Sequence, residues 1–323
     1  MSPRLLGPLA TAAALVAVAV VALLTSAWAA PISLPARADA VPAPVTSARA
    51  APISLPARAV DGSLVGPAVT VAARAFPAGT RFVTATVSAR HAAGSSRRPM
   101  MLTTTLTCGA ESIQATTNVL ETAVLTPRRL IRDATGCTVV ARSAVTDATG
   151  GDALLVTVTM SAVPVTRGAV GYAPDGFPAL VRPGQRRDVV PAAFDVPAGA
   201  RVVTVAGDLK ATACTSVGGS RENGSPNLCA AGRVRAGGTV LAVALVVQQR
   251  STGGGYCAAR TLSTRTVRID RQTHHAMITQ RGSYTLSTAR GCAPSVRVKL
   301  DVRVLSGADV VIHRRGTIVS VYR

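Results

Sequence analysis

The residues in this sequence that could carry acid–base or metal chemistry are few. The four histidines are His91, His274, His275 and His313. His274 and His275 are adjacent, so in a strand they point to opposite faces and cannot grip one metal ion from the same side. Asp270 is close enough in sequence to form half of a site with them, but a polar hairpin turn is the simpler interpretation of this segment.

Longer catalytic patterns are also missing from the sequence. No G-x-S-x-G elbow, H-E-x-x-H pair or P-loop occurs. Asp147 and Asp152 flank a Gly-Gly pair, yet they lack the further oxygen ligands that calcium requires, and turn formation explains them better. With only 15 acidic residues, a carboxylate pair for glycoside hydrolysis has little support. We therefore assign no catalytic, cofactor-binding or metal-binding residue and expect no cofactor.

Six cysteines could form disulfides or bind metal: Cys108, Cys137, Cys214, Cys229, Cys257 and Cys292. An even number of cysteines in an exported chain is typical of disulfide bonding in an oxidising compartment. Zinc binding is the rival interpretation, but no C-x-x-C pair occurs in the sequence. The cysteines therefore predict three disulfides.

The first 29 residues have the parts of a secretory signal peptide. Arg4 precedes an apolar run over residues 5–24, and Ala27-Trp28-Ala29 provides a small-x-small cleavage site. An uncleaved membrane anchor is the alternative, because about 20 apolar residues can also span a bilayer. Pro8 and the cleavage site favour removal of residues 1–29. This predicts a secreted bacterial protein that could be associated with the cell wall.

The rest of the chain is organised around a repeated segment with the pattern P-A-G-x-R-x-V-T. Its copies begin at Pro77 and, 120 residues later, at Pro197. Proline fixes φ at a turn position, glycine tolerates positive φ, and a β-branched run follows, so each copy predicts a turn that leads into a strand. The residues Val203, Val205, Gly207 and Leu209 then keep the apolar parity of Val83, Ala85, Val87 and Ala89. The sequence therefore predicts two related domains.

The composition places the domain boundaries. Residues 30–65 are rich in alanine and proline and contain AAPISLPARA twice, at 29–38 and 50–59. They predict a disordered, extended tether. Residues 66–165 form the first domain, 166–194 a proline- and glycine-rich connector, and 195–323 the second domain.

The hydrophobic pattern of both domains alternates with the period of a strand. Val296, Val298, Leu300, Val302 and Val304 alternate with polar residues, which is typical of a strand with one buried face. No 3.6-residue apolar stripe persists for a dozen residues. The pattern predicts an all-β protein with two tandem antiparallel β-sandwich domains, immunoglobulin-like or jelly-roll-like, that arose by duplication. Two strands around residues 313–316 predict a terminal hairpin.

The repeat also selects a disulfide pairing among the 15 that six cysteines allow. Ala-Thr-Gly-Cys137 matches Ala-Arg-Gly-Cys292, and Cys108 is followed at an offset of 149 by Cys257. On this basis Cys108–Cys137 and Cys257–Cys292 are equivalent pairs, and Cys214–Cys229 closes an insertion in the second domain.

The loop inside this insertion is the one candidate binding loop in the sequence. Residues 215–228 are polar and rich in glycine, and a bridge across them would hold the loop in shape. The loop centres on Ser220, Arg221, Glu222 and Asn223. The alternative, which we favour, is that the bridge only protects a surface insertion.

The charge of the chain limits its partners. The sequence has 35 basic residues, all arginine except Lys210 and Lys299, against 15 acids, which gives a net charge of +20. Such a protein can adhere to anionic polymers of the cell envelope or to nucleic acid. The arginines are scattered, however, and their abundance is also typical of a GC-rich genome. Scarce aromatic residues argue against stacking sites for single-stranded nucleic acid or sugars.

Together these features favour an exported, disulfide-stabilised, non-enzymatic protein that binds a ligand or is associated with the cell envelope. The partner is open: an anionic envelope polymer or another exported protein, but no specific nucleic acid, and the membrane only if residues 1–29 are retained. The alternatives are a secreted hydrolase with a dispersed site and a protease inhibitor that presents the loop between Cys214 and Cys229.

Overall fold

A computed structural model describes residues 51–56, 58–59, 67–95, 98–132, 136–145, 152–173, 177–216 and 227–323. The protein is all-β, with one short 3₁₀ helix at Leu228–Ala231. Within the described ranges, no helix has the length and apolar character needed to cross a membrane. The expected signal peptide lies outside these ranges.

The first domain contains two antiparallel sheets. Sheet A has the order β1-β10-β4-β7, with β8 also paired to β4, and sheet B has the order β3-β9-β5-β6, with β2 parallel to β9. Its strands are β1 (Ile53–Pro56), β2 (Arg58–Ala59), β3 (Val69–Ala75), β4 (Arg81–His91), β5 (Met100–Cys108), β6 (Glu111–Val119), β7 (Thr122–Leu125), β8 (Arg128–Ile131), β9 (Gly136–Val145) and β10 (Ala153–Pro164).

The second domain repeats this plan. Sheet C has the order β11-β20-β14-β17. Strand β19 also pairs with β14, on the same side as β20, and β12 pairs with β19. Sheet D has the order β13-β18-β15-β16. Its strands are β11 (Gly168–Tyr172), β12 (Ala179–Val181), β13 (Arg186–Asp195), β14 (Val202–Ala213), β15 (Thr239–Ser251), β16 (Tyr256–Ile269), β17 (His275–Thr285), β18 (Cys292–Gly307), β19 (Val310–Ile312) and β20 (Ile318–Tyr322).

The strand order identifies both sandwiches as jelly rolls. When β7 with β8, β11 with β12, and β19 with β20 are counted as single interrupted strands, and the two-residue β2 is set aside, each domain has two four-stranded sheets. The strand order of the first domain then maps element by element onto that of the second. Eight strands in this double Greek-key order define a jelly roll. The prediction of two tandem antiparallel β-sandwiches is therefore confirmed, and the strand order is that of the jelly-roll alternative.

The repeated P-A-G segment is the crossing between the two sheets of each domain. It connects β3 to β4 in the first domain and β13 to β14 in the second. Phe76 and Val196, just before the prolines, are both buried. Gly79 and Gly199 have φ values of +118° and +78°, a region that residues with a Cβ rarely adopt. The repeat is therefore an architectural element, as its spacing predicts.

The buried faces follow the predicted parity. Val203, Val205 and Leu209 on β14 are fully buried in the core of the second domain. The valines and the leucine of β18 from Val296 to Val304 are buried in the same core. Alternation with a period of two was thus a sufficient guide to the inward face of these strands.

The N-terminal tether is shorter than the sequence predicts. Residues 53–56 form β1, which pairs in antiparallel fashion with β10, and Leu55 is 1% exposed. The Ser143 hydroxyl donates hydrogen bonds to the carbonyl oxygens of Leu55 and Pro56. Proline in a short segment argues against a strand, because proline is tolerated only at the edge of a sheet or at a bulge. The sequence of β1 therefore gives no clear strand signal.

The connector at 166–194 also differs from expectation. It contains β11, β12 and β13, which complete both sheets of the second domain. Proline is tolerated here because Pro191 lies where the register of β13 against β18 shifts, between Val189 and Ala192. The second jelly roll therefore begins close to the end of the first.

The predicted terminal hairpin is wrong. Both β19 and β20 run antiparallel to β14, so they run in the same direction and form one strand that is interrupted at residues 313–317. Gly316 lies in the interruption with φ +102°, and a Cβ there would come within 2.0 Å of the Gln114 carbonyl oxygen. The Arg-Arg-Gly sequence thus marks a break in a strand and not a reversal of the chain.

Three disulfides join the pairs selected by the repeat: Cys108–Cys137, Cys214–Cys229 and Cys257–Cys292. The first and third are not equivalent, however. Cys108 lies on β5 directly opposite Cys137 on β9, whereas the residue opposite Cys292 is Ser251 on β15. Cys257 instead lies at the start of the next strand, β16.

We expect the three disulfides to differ in their resistance to reduction. Cys257 is exposed and Cys292 is half-buried, whereas the other four cysteines are nearly or fully buried. Attack by a thiolate requires access to a sulfur atom. Mild dithiothreitol treatment of the native protein should therefore open Cys257–Cys292 first. Alkylation followed by peptide mass spectrometry measures the order, and earlier labelling of Cys108 and Cys137 would contradict it.

Candidate functional site

Two of the four histidines meet at a single hydroxyl group. The Thr212 hydroxyl lies 2.8 Å from Nδ1 of His275 and 2.7 Å from Nε2 of His313. His274 lies in the turn before β17, and its ring centroid is 4.1 Å from that of His275. The two rings therefore do not point to opposite sides, because only His275 is in the strand. The Asp270 carboxylate closes the turn before β17, because it accepts hydrogen bonds from the backbone N–H groups of Gln272 and Thr273. These hydrogen bonds do not involve the histidine cluster.

This histidine cluster is closed off by the first domain. Asn118 on β6 accepts a hydrogen bond from the His275 backbone at 2.9 Å. Lys210, which is 2% exposed, donates a 2.7 Å hydrogen bond to the Gln114 side chain on the same strand. Burial lowers the pKa of His275 well below its ordinary value, and the nearby His274, His313 and Lys210 lower it further. His275 is therefore neutral at pH 7.

A buried ion pair lies on the same face of β14. The Arg128 guanidinium on β8 contacts both carboxylate oxygens of Asp208, at 2.8 Å and 3.2 Å for the nearest atoms. It also donates to the carbonyl oxygens of Gly207 and Gln280. Burial raises the pKa of Asp208 to about 6, while Arg128 opposes the shift. Asp208 is still ionised at pH 7, so its charge is balanced within the domain interface.

Asp208, Lys210 and His275 join the two jelly rolls, because each bonds to a residue of the first domain. These three residues and His313 are buried. In the ranges that the structure covers, no three His, Cys, Asp or Glu residues are arranged to hold a metal ion. Asp152 is also buried. Asp147 and the candidate loop residues Ser220, Arg221, Glu222 and Asn223 lie outside the described residues.

The exposed feature that stands out is a concentration of positive charge in the second domain. Residues 223–300 contain ten arginines and Lys299 but a single acid, Asp270, which gives 10 + 1 − 1 = +10. This quarter of the chain thus carries half of the net charge of +20. The segment forms β15, β16, β17 and the first part of β18.

Five exposed arginines of this segment lie on the outer strands β16 and β17 and at the end of β15. Strand β16 is the last strand of sheet D, and β17 is an outer strand of sheet C. Gly282 allows the two strands to approach each other, because a Cβ there would lie 3.1 Å from that of Leu262. We call this side the arginine edge. Its exposed arginines are Arg250, Arg260, Arg265, Arg268 and Arg281.

The charges of the arginine edge are largely uncompensated. None of its five arginines makes an ion pair with a carboxylate from the described residues. Asp188 pairs instead with Lys299, and Asp301 with Arg186. Only Arg268 lies close enough to Asp270 to contribute to the lowered pKa of that carboxyl, behind the hydrogen bonds from Thr273 and Gln272.

Uncharged hydrogen-bonding groups alternate with these arginines. Strand β16 is exposed along nearly its whole length and places Thr261, Thr264 and Thr266 at exposed positions between its arginines. From Arg260 to Arg268 the strand extends for about 27 Å. Arg265 and Arg268 are three residues apart and therefore point to opposite faces of β16, and Arg265 contacts the Thr279 carbonyl oxygen of β17. Guanidinium and hydroxyl donors thus lie on both sides of this outer strand, where they can bind a linear chain of anionic groups at several points.

The arginine edge does not stand out in the total charge of the chain, because its signal lies in where the acids are located. The arginines are spread evenly, so no dense run draws attention to them. The informative signal is the absence of acids over residues 223–269, which places six arginines without a neutralising partner nearby in sequence. Strand pairing then places four of them, Arg250, Arg260, Arg265 and Arg268, on the neighbouring strands β15 and β16.

We expect the domain interface to respond to acid through His275. An imidazole with a lowered folded-state pKa contributes stability that is lost as pH falls below the unfolded value near 6.5, since the unfolded chain takes up the proton first. Asp208 acts in the opposite sense, because its raised pKa favours the folded state as pH falls below about 6. The Tm of His275→Gln should therefore fall less than that of the wild type between pH 7 and pH 5.

The control for this test is Asp208→Asn, which removes the opposing contribution. Its Tm should fall more steeply than that of the wild type over the same range. Each substitution should also cost about 1 kcal/mol or more at pH 7, because a buried hydrogen-bond partner is lost. Equal slopes for wild type and His275→Gln would contradict the assignment.

Comparisons with known proteins carry no argument about the fold or the function of this chain. No protein-family model and no curated protein matches the sequence. Among solved structures, the N-terminal CBM22-1-CBM22-2 tandem domain from Paenibacillus barcinonensis Xyn10C matches with 10% identity over 77% of this chain and 79% of that chain, at a TM-score of 0.24. Paenibacillus xanthan lyase matches with 11% identity over 79% and 22%, at a TM-score of 0.19. The Gt strain structure of infectious bursal disease virus matches with 13% identity over 76% and 65%, at 0.18. Scores this low carry no functional argument.

Proposed function

We propose that this protein is an exported, non-enzymatic binding protein that holds a phosphodiester-type anionic polymer of the cell envelope along its arginine edge. The observation that carries the proposal is the exposed row of arginines on β16 and its neighbours, which lacks carboxylate partners among the described residues. Three disulfides fit a protein that works outside the cell.

The charge distribution supports an anionic ligand on physical grounds. Ionised groups that are not paired within the protein keep their full attraction for a polyanion, and binding releases the counterions that surround the polymer. Arginine is suited to phosphate because its planar guanidinium donates two parallel hydrogen bonds. The row on β16 is open at the edge of a sheet, so a linear polymer can lie along it without entering a pocket.

The buried polar groups support binding in preference to catalysis. Asp208, Lys210, His275 and His313 are polar groups of types that active sites use, and all four are buried. Asp208 and Lys210 bond to Arg128 and Gln114 of the first domain, and the two histidine rings bond to Thr212 of the second. A substrate would have to separate the domains before reaching them.

A salt-dependent binding measurement tests the proposal. Long-chain polyphosphate serves as the probe, with neutral dextran as the negative ligand. The triple variant Arg250→Gln, Arg260→Gln, Arg265→Gln should bind polyphosphate at least tenfold more weakly at low salt, since each basic residue contributes about 1 kcal/mol near an anionic surface. The slope of log K against log salt should fall by about 1 for each arginine removed.

The matched control removes the same charge elsewhere. Arg90, Arg167 and Arg182 are exposed arginines outside the arginine edge, and their replacement by glutamine should leave most of the affinity intact. Equal weakening by both triple variants would show that only net charge matters and would overturn a localised site. Pull-down of purified cell walls with and without their anionic polymers then tests the envelope as the source of the ligand.

A further inference from the structure

The outer face of sheet D, which points away from sheet C, has a floor of small apolar side chains. Strand β15 lies between β18 and β16 in this sheet. Its leucines and valines from Leu241 to Val247 are buried in the core. The residues that alternate with them point outward and are half-buried: Val240, Ala242, Ala244 and Val246. The middle of this face therefore offers a strip of apolar surface to a ligand.

Polar side chains border this strip on both sides. The β18 row is mostly cationic, and the β16 row consists of threonines. Opposite Ala242, Ala244 and Val246 in turn, the β18 residues are Arg303, Asp301 and Lys299, and the β16 residues are Thr266, Thr264 and Thr261. Because these side chains are longer than alanine, the strip lies at the bottom of a trough. The trough is two strand spacings, about 10 Å, wide and about 20 Å long.

An exposed tyrosine lies at one end of the trough. Tyr256 is 43% exposed and lies opposite Arg250 at the end of β15. Arg297 of β18 donates a 2.9 Å hydrogen bond to its hydroxyl, so the contact crosses the strand between them. The next residue, Cys257, is linked to Cys292 at the start of β18. The tyrosine ring is thus held in place by a hydrogen bond and by a neighbouring disulfide.

The corresponding face of the first domain lacks these features. The middle strand of sheet B, β5, alternates buried Leu102 and Leu106 with Thr103, Thr105 and Thr107, so its outer face has threonines where β15 has alanine and valine. None of the strands β3, β5, β6 and β9 contains an aromatic residue. The trough and its tyrosine therefore distinguish the second domain from the first.

We propose that the polymer bound at the arginine edge carries sugar units and that these units lie in the trough; this inference rests on the function proposed above. A sugar ring presents C–H groups on its faces and hydroxyls around its rim, so it matches an apolar floor bordered by hydroxyl and charged groups. The Tyr256 ring adds a flat apolar surface with a polar hydroxyl. Few aromatic residues are present in the chain, so one ring combined with ionic contacts is the form of sugar binding that its composition permits.

The trough is continuous with the arginine edge. Arg250 lies opposite Tyr256, and Arg268 lies on the same face of β16 as Thr266. Both arginines belong to the arginine edge. Phosphate groups of a polymer can therefore contact these guanidinium groups while sugars of the same polymer contact the trough.

Two polymers with the same phosphate backbone test the inference. Poly(glycerol phosphate) and the same polymer bearing glucosyl groups carry equal charge per unit. The wild type should bind the glucosylated polymer about fivefold more tightly or better, as expected for one aromatic contact. Tyr256→Ala should remove this preference, while its affinity for the unsubstituted polymer should change by less than about twofold. Isothermal titration calorimetry at one salt concentration measures all four affinities.

Tyr172 provides the matched control for the tyrosine. It is 48% exposed and, like Tyr256, bonds to an arginine, Arg129, but it lies on β11 of sheet C. Tyr172→Ala should therefore keep the preference for the glucosylated polymer. Loss of the preference in Tyr172→Ala and its retention in Tyr256→Ala would overturn the inference.

A second pair of variants tests the trough without touching the tyrosine. Ala244→Gln places a longer, uncharged side chain on the floor and should also remove the preference. Thr105→Gln makes a similar change on the outer face of β5 and should leave the preference unchanged. An unchanged preference in Ala244→Gln would contradict the placement of sugars in the trough.

The outcomes distinguish this inference from the proposed function. Equal affinity of the wild type for both polymers, with binding still dependent on the arginine edge, would overturn the sugar site and leave the proposed function in place. Failure of polyphosphate and of both polymers to bind would overturn the proposed function itself. Poly-glutamate bound as tightly as the glucosylated polymer would identify an acidic protein segment as the ligand and would overturn the inference as well.

Discussion

The structure depends on one strand, β14, being buried on both faces. Its odd-numbered residues lie in the core of the second jelly roll, and its even-numbered residues Asp208, Lys210 and Thr212 are covered by the first. Charges and hydroxyls in such a place are tolerated only if each has a partner. Arg128, Gln114 and the histidine pair supply those partners. The two domains are thus joined by polar contacts of fixed geometry.

Apolar contacts reinforce this joint. Ile318 on β20 is buried within the core of the first domain, and Met277 and Val170 pack against the same cluster. Phe82 of the first domain stacks on Tyr322 of the second, with ring centroids 4.5 Å apart. The two domains therefore form one compact unit, in which removal of either would expose a charged and partly apolar sheet face.

The sequence was informative wherever a pattern repeats along the chain. The parity of Val203 and Val205 and the P-A-G turn follow from local chemistry, so the sheets and the two-domain plan could be predicted. The meeting of His275 and His313 at Thr212 could not, because it joins three strands whose pairing no local pattern specifies. Strand β1 could not be predicted either, because four residues show too little alternation to indicate a strand.

The arginine edge has a second consequence for the fold. Strand β16 is a 14-residue outer strand, and long exposed strands of this kind are templates for pairing with other chains. Charged side chains are one way in which proteins prevent such pairing. The arginines that we propose for polymer binding therefore also keep molecules apart, so loss of their charge should be judged by solubility as well as by affinity.

The unequal bridges constrain the two jelly rolls differently. Cys137 and Cys292 lie at the start of corresponding strands, yet their partners lie on different strands, β5 in one domain and β16 in the other. The first bridge links two directly opposed residues of neighbouring strands within one sheet, β5 and β9. The bridge of the second domain instead links β18 to β16, which both pair with β15, so it spans the strand between them and fixes one end of the outer strand β16.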